Sequence, residues 1–255
     1  MGVPELSNLY IDLLERTLTG SITEDPGFAP VLNPMFPHLY NEHARSLGED
    51  WPLWAVTMIG LTRLRHLGKL VRHVVENKVP GDFIETGVWR GGSCIYVRAM
   101  LAVLGVNDRR VWVADSFMGL PKPDPVAYPA DDKDNLHTVK FLSVSLDEVR
   151  ANFAKFNMLD DRVEFLKGWF KDTLPTAPIA KLAILRLDGD MYESTMNALD
   201  ALYAKVSPGG FVIVDDYALP NCKKAIHDFR AQHKIEEQIE PIDRYSAFWR
   251  VADRS

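Results

Sequence analysis

The stretch Phe83-Ile84-Glu85-Thr86-Gly87-Val88-Trp89-Arg90-Gly91-Gly92-Ser93 runs from a short apolar segment through a glycine-rich turn into a helical pattern. Gly87, Gly91 and Gly92 let backbone come close to a ligand, and the helix that follows opens with free amide donors. Working outward, apolar runs at 83–86, 111–114, 163–166, 182–187 and 211–214 alternate with helical patterns at 92–104, 146–156, 194–206 and 222–233. Strands that alternate with helices predict parallel pairing through right-handed crossovers, hence a doubly wound α/β sheet covered on both faces. The end of the chain departs from this pattern. Ile239 and Pro241-Ile242 precede the β-prone run Tyr245-Ser246-Ala247-Phe248-Trp249-Arg250-Val251 with no helix after it, which predicts an antiparallel return strand.

Upstream, Leu6, Tyr10, Leu13, Leu14 and Leu18 recur at helical spacing and predict an amphipathic helix over the first 20 residues. It would pack on the domain or on a neighbouring subunit. Pro26, Pro30, Pro34 and Pro37 then mark an irregular segment, either a substrate-side loop or a surface connector. From 53 to 79 the helical pattern returns, with Met58, Leu61, Leu64, Leu67 and Leu70 in one stripe that ends before Pro80. The expected organisation is a helical extension over 1–79, part of the same domain as a core over 80–255. Between Asp115 and Leu146 lie about 30 residues rich in Pro and Asp, among them Pro121, Pro123, Pro125, Pro129, Asp131, Asp132 and Asp134. A connection of that length in a compact domain is a candidate lid.

The bulk numbers bound the function. With 255 residues, 47% of them hydrophobic, the chain suits one elaborated domain. Against 35 acidic residues stand 29 basic ones, a formal charge of −6 that offers nothing to a phosphate backbone, so no nucleic acid is expected as partner. Cys94 and Cys222 fall in no CxxC or Cys/His spacing, which predicts neither a disulfide framework nor a zinc site and points to a reduced, cytoplasmic setting. The first residues lack the basic and apolar regions of a signal peptide, and Leu6 stands where a myristoylation motif needs Ser or Thr. Apolar stretches such as 211–214 are strand-sized, far short of the roughly 20 residues of a membrane helix.

In open α/β sheets ligands bind beyond the carboxyl ends of strands, where the strand order reverses. Glu85 puts an anion just before the glycine turn, and the spacing departs from the dinucleotide GxGxxG fingerprint. A pyrophosphate would be poorly served there. S-adenosylmethionine suits the site better, because a carboxylate can receive its ammonium while loop amides receive its carboxylate. Asp115 ends the second strand some 28 residues beyond Gly87, placed for ribose hydroxyls, although that role serves NAD equally and a helix cap is the plain alternative. Leu166-Lys167-Gly168-Trp169-Phe170 ends the third strand with an aromatic pair able to wall an adenine.

Acids stand where the next two apolar strands stop: Leu185-Arg186-Leu187-Asp188-Gly189-Asp190 and Val212-Ile213-Val214-Asp215-Asp216-Tyr217. On neighbouring strands about 5 Å apart, up to four carboxylates crowd one corner, which is repulsive without a cation. Hard oxygen ligands without a histidine cluster favour magnesium, which acidifies and orients a hydroxyl for an adjacent carboxylate to deprotonate. One such pair would ordinarily be a helix cap or a turn. Two pairs on consecutive strand ends point to a metal or catalytic site.

Together, Glu85-Thr86-Gly87-Val88-Trp89-Arg90-Gly91-Gly92, Trp112-Val113-Ala114-Asp115-Ser116-Phe117, Gly168-Trp169-Phe170-Lys171-Asp172-Thr173, Asp188-Gly189-Asp190-Met191-Tyr192 and Asp215-Asp216-Tyr217 resemble the macrocin O-methyltransferase family, over residues 9–249. That family includes the mycinamicin and aminocoumarin sugar methyltransferases of antibiotic biosynthesis. The resemblance implies a class I methyltransferase, Rossmann-like, with a mostly parallel seven-stranded sheet. It implies magnesium on Asp188, Asp215 and Asp216 and a general base at Asp190, with Asp188 the alternative base. S-adenosylmethionine would contact Glu85, Thr86, Gly87 and Asp115, with Ser116, Trp169, Thr57 and Met58 as neighbours. Asn135-Leu136-His137 resembles the family's substrate-side loop, so His137 would orient a sugar hydroxyl or assist proton removal, an exposed loop histidine being the alternative. The implied acceptor is a deoxysugar hydroxyl on a glycosylated small molecule, and the implied assembly is a homo-oligomer formed through N-terminal elements. A nicotinamide oxidoreductase would lack its glycine fingerprint. A catechol-type O-methyltransferase differs only in a phenolic acceptor, and a non-catalytic S-adenosylmethionine-binding protein would need no acidic corner.

Overall fold

The computed structural model describes residues 2–28 and 38–252; Pro30, Pro34 and Pro37 lie outside the described residues. Helix α1 (Val3–Leu18) leads to strand β1 (Gly27–Phe28), helix α2 (Glu42–Leu47) and strand β2 (Trp51–Pro52), which pairs antiparallel with β1. After α3 (Gly60–Glu76) the alternation begins: β3 (Asp82–Thr86), α4 (Gly92–Val103), β4 (Val111–Asp115), α5 (Leu146–Lys155), β5 (Val163–Lys167), α6 (Phe170–Thr173), β6 (Leu182–Leu187), α7 (Tyr192–Leu202), β7 (Val206–Val214) and α8 (Pro220–His233). The chain closes with β8 (Glu240–Pro241) and β9 (Ala247–Arg250). Seven strands form one sheet in the order β5-β4-β3-β6-β7-β9-β8, parallel except that β9 runs antiparallel to both neighbours. The doubly wound, mostly parallel sheet with an antiparallel return is the fold expected from the sequence, and its strand order reverses between β3 and β6.

Alternate strand residues face opposite layers, as a period of two requires. Phe83, Val111, Val113, Ile184 and Ile213 pack toward a core shared with Leu64 and Leu67 of α3 and Ile95 of α4. Ile84, Ala114, Leu185 and Val212 pack toward Leu199 of α7 and Ile226 of α8. Burial on both faces explains why the strands read as continuous apolar runs. Ile11, Leu14 and Leu18 place α1 in the first of these cores.

Three expectations shift. The helix expected from 53 starts only at Gly60, which adopts φ +74° and lies so close to the α2 turn that a Cβ would meet the Gly48 nitrogen at 2.4 Å. Residues 53–59 are thereby left as a turn. Strand β7 begins at Val206 rather than 211, because a bulge absorbs Pro208, Gly209 and Gly210 between the Leu182 and Ile184 pairings. The short β8 completes the expected seven strands, but at an edge where the residues themselves marked only a proline-containing stretch. Among the described residues no helix is long and apolar enough to cross a membrane.

The N-terminal elements are fastened by a buried charge. Arg45 of α2 is fully buried; it donates from Nε and Nη2 to Asp50, each at 2.8 Å, and to the carbonyls of Thr19 and Asp25 at 2.9 and 2.6 Å. Asp50→Ala leaves that guanidinium uncompensated and is expected to cost about 3–5 kcal/mol, read as a lowered urea midpoint. A midpoint within experimental error of the parent's would show that the two carbonyls suffice.

Candidate active site

The carboxyl ends of β3 to β7 converge on a cleft of about 650 Å³. Its back wall is the junction between β3 and β6. Gly87, at φ +92°, donates its N–H to the Ala114 carbonyl at 2.9 Å, and a Cβ on it would sit 1.8 Å from the Asp188 carbonyl oxygen. Only glycine lets the donor-side loop and the acidic corner touch. Asp115 then pins the loop, accepting the Val88 N–H at 2.8 Å and the Phe117 N–H at 2.7 Å. Burial pushes its carboxyl up, and these amides pull it partly back.

Of the residues expected at the donor, Glu85, Gly87, Asp115, Ser116, Trp169, Thr57 and Met58 line the cleft. Thr86 does not; it is buried in β3 with its hydroxyl 3.4 Å from the Arg186 carbonyl. Glu85 is not a free anion, since it accepts from Ser93 Oγ at 2.5 Å and Cys94 Sγ at 2.8 Å and is paired with Arg186. Burial and that carboxylate raise the Cys94 thiol well above its usual range.

The acids expected at the metal are brought together. Asp188, Asp215 and Asp216 each offer a carboxylate oxygen, all within 4.8 Å of one another. Burial, with Asp215 and Glu85 nearby, pushes Asp188 up to about 7 although Arg186 opposes the shift. Burial and then the charges of Asp190, Asp188 and Asp215 hold Asp216 well above the carboxylate range. Such mutual repulsion is what a divalent cation relieves. Three converging carboxylates supply the hard oxygen donors that magnesium takes. The residues present therefore fit the ion.

Asp190 follows with φ +58°, a region a non-glycine residue occupies at a cost of about 1–3 kcal/mol and mostly at functional sites. Its N–H donates to Asp216 Oδ2 at 2.9 Å, which helps to hold that conformation. Burial and the charges of Asp188, Asp134 and Asp215 raise its carboxyl well above the usual range. The plain alternative, that Asp188 and Asp190 cap the next helix, is not what the structure shows. The first amides of α7, Tyr192 and Glu193, donate to Asp131 at 2.7 and 2.9 Å.

Asp131 comes from the long connection over 116–145, which is tied down at two places. Asn221 of α8 donates to Asp131 and Asp134 at 3.1 and 3.2 Å. Farther on, Phe141 stacks on Trp51 with ring centroids 5.7 Å apart, its carbonyl accepts from Trp89 Nε1 at 3.0 Å, and the Arg90 guanidinium lies 5.1 Å over its ring. His137 is exposed on the turn Leu136–Thr138 and lies outside the cleft lining, whereas its neighbour Leu136 lines the cleft.

The sequence reading passed over two arginines. Arg186 donates from Nη1 to Glu85 and, at 2.6 Å, to Asp188, and from Nη2 to Asp215 at 2.5 Å. Its signal was a charge inside the apolar run of β6. Arg63 of α3 binds the other oxygen of Asp215 and has its Nε 3.2 Å from Asp243. Nothing in the helical pattern marked it, because its partners come from 152 and 180 positions away.

Comparison with known proteins places the chain in a family. The family model described as Macrocin-O-methyltransferase (TylF) matches residues 7–251. The chain is similar to the demethyldecarbamoylnovobiocin O-methyltransferase of Streptomyces niveus, with 50% identity over 95% of this chain and 93% of that one. It is similar to the mycinamicin III 3''-O-methyltransferase of Micromonospora griseorubida, with 47% identity over 95% and 96%. Among solved structures, the O-methyltransferase NovP superposes with a TM-score of 0.92 at 48% identity, covering 97% of this chain and 100% of that one.

Proposed function

The chain belongs to the macrocin O-methyltransferase family, and from that premise we propose that it is a magnesium-assisted sugar O-methyltransferase with Asp188, Asp215 and Asp216 as metal ligands and Asp190 as general base. It is an S-adenosylmethionine-dependent O-methyltransferase of glycosylated antibiotic biosynthesis. The observation that carries the finer reading is the meeting of three carboxylates within 4.8 Å beside the left-handed Asp190, in the wall of the cleft.

The donor supplies a methyl group on sulfonium sulfur, which keeps the electron pair as the carbon–sulfur bond breaks. Glu85, Asp115 and Trp169 all stand in the cleft wall, where they would receive the donor's ammonium, ribose hydroxyls and adenine respectively. Asp188, Asp215 and Asp216 would hold the ion, which supplies acidification and orientation of the acceptor hydroxyl. Asp190 takes the proton. Arg186 holds Asp188 at 2.6 Å, which favours a ligand's role for that residue and leaves Asp190, also in the cleft lining, to take the proton. The part of the connection fastened from Asp131 onward would shield the corner from water, and methyl transfer requires the acceptor oxygen to be held in line with the methyl carbon. His137, exposed beside the cleft-lining Leu136, would orient the acceptor from outside the cleft.

The acceptor is a hydroxyl of a deoxysugar carried on a larger scaffold. The two relatives named for different acceptors are 50% and 47% identical to this chain, so overall identity does not choose the scaffold. Two free, buried cysteines accord with a reducing cytoplasm. On α1, Val3, Leu6, Leu9 and Leu13 are more than half exposed, an apolar strip that suits a second copy of the chain and a homo-oligomer.

Three outcomes are expected. Dialysis against a chelator abolishes methyl transfer from labelled donor to a panel of glycosylated macrolides and aminocoumarins, and added magnesium restores it; full turnover after chelation would refute the metal. Asp190→Asn keeps S-adenosylhomocysteine affinity in calorimetry but lowers kcat by about 10²-fold or more, and a near-normal rate removes Asp190 as base. Leu6→Glu combined with Leu13→Glu converts the oligomer to monomer in sedimentation, whereas a parent chain that already sediments as monomer contradicts the assembly.

A further inference from the structure

Arg186 is 1% exposed, stands in β6 in register with Glu85 of β3, and lines no part of the cleft. Its three partners, Glu85, Asp188 and Asp215, all do. They come from the ends of three adjacent strands, β3, β6 and β7. Nη1 is shared between Glu85 and Asp188, and Nη2 takes Asp215 Oδ1 at 2.5 Å. An arginine that only tied strands together would have no need to choose partners that all face the cleft. A guanidinium is a rigid planar fork, so one side chain in one rotamer fixes the directions of three carboxylates at once; an ammonium, a point charge on a flexible stem, does not. Asp215 is held from the other side by Arg63, and a carboxylate has about four lone-pair sites, so both arginines leave room for an ion.

We propose that Arg186 is the positioning residue shared by both halves of the site, acting through Glu85 on the methyl donor and through Asp188 and Asp215 on the divalent cation. The inference rests on the donor and metal assignments made above. It explains why a full charge is buried near the carboxyl end of an otherwise apolar strand: the residue that orders the donor's anchor is the one that orders two of the ion's three ligands. Orientation is therefore lost on both sides by one substitution, although Arg186 touches neither ligand.

The test uses the full chain as Arg186→Lys and Arg186→Gln, with three measurements on each: the thermal midpoint, S-adenosylhomocysteine affinity by calorimetry without metal, and Mn²⁺ affinity by electron paramagnetic resonance without donor. The expected result is that Arg186→Lys, which keeps the charge and folds, loses about tenfold or more in both affinities, since partners that orient metal ligands typically control 10- to 100-fold in affinity. Arg186→Gln, where it folds, loses at least as much. Parent-like affinities in Arg186→Lys overturn the proposal, because charge alone then suffices. Tighter Mn²⁺ binding in either variant also overturns it, showing that the guanidinium merely competes with the ion. A parent chain that binds no Mn²⁺ sinks the metal assignment itself, an outcome distinct from parent-like binding in the variants, which sinks only the role of Arg186.

Discussion

Carboxylates gathered at the ends of two adjacent parallel strands repel one another, and the rest of the site is arranged around that repulsion. Pairing of Leu187 with Val214 brings the next residues, Asp188 and Asp215, side by side, and burial strengthens what they feel. Positive charge is supplied from behind by Arg186 and from the helical side by Arg63. The open side faces the cleft, where the proposed divalent ion would complete the balance. A sheet that ended one residue earlier or later on either strand would not assemble this corner, since the register, rather than any loop, sets the spacing.

The reversal of strand order places the donor against that corner. Because β3 and β6 are neighbours, the glycine loop after one strand packs directly on the acidic turn after the other, with Gly87 against the Asp188 carbonyl. The separation between the glycine loop and the acidic corner is thus a main-chain dimension. Main chain in a sheet yields less than side chains do, and methyl transfer, which needs positioning more than covalent help, benefits from that stiffness.

What could be read in the sequence was local. Strand ends, the glycine turn and the paired acids sit in short stretches whose pattern carries its own meaning, so β3 to β7 and the acidic corner were legible. The helix start at Gly60 was not, because it depends on a close approach to Gly48 from another turn. Nor was the early start of β7, hidden by Pro208 and two glycines that a bulge accommodates. Asp131 read only as one acid of a polar loop, yet it caps a helix 61 positions away. Arg45 and Arg63 draw their meaning from partners that only the folded chain brings near. Helix α2 and the β1–β2 ribbon were too short for periodicity to register.

The two fastenings of the long connection divide it unequally. From Asp131 onward it is bound to α7, α8, Trp51 and Trp89, but the Asp124 carboxylate and carbonyl bond only the nearby amides of Val126, Ala127 and Tyr128, and Val126 projects 93% into solvent. Leu120, Pro121 and Lys122, at the root of this untied stretch, nevertheless border the cleft. Insertions and replacements there meet little energetic resistance, while the chemistry beneath is insulated from them. A change of acceptor scaffold met by this stretch therefore need not disturb the acidic corner below it.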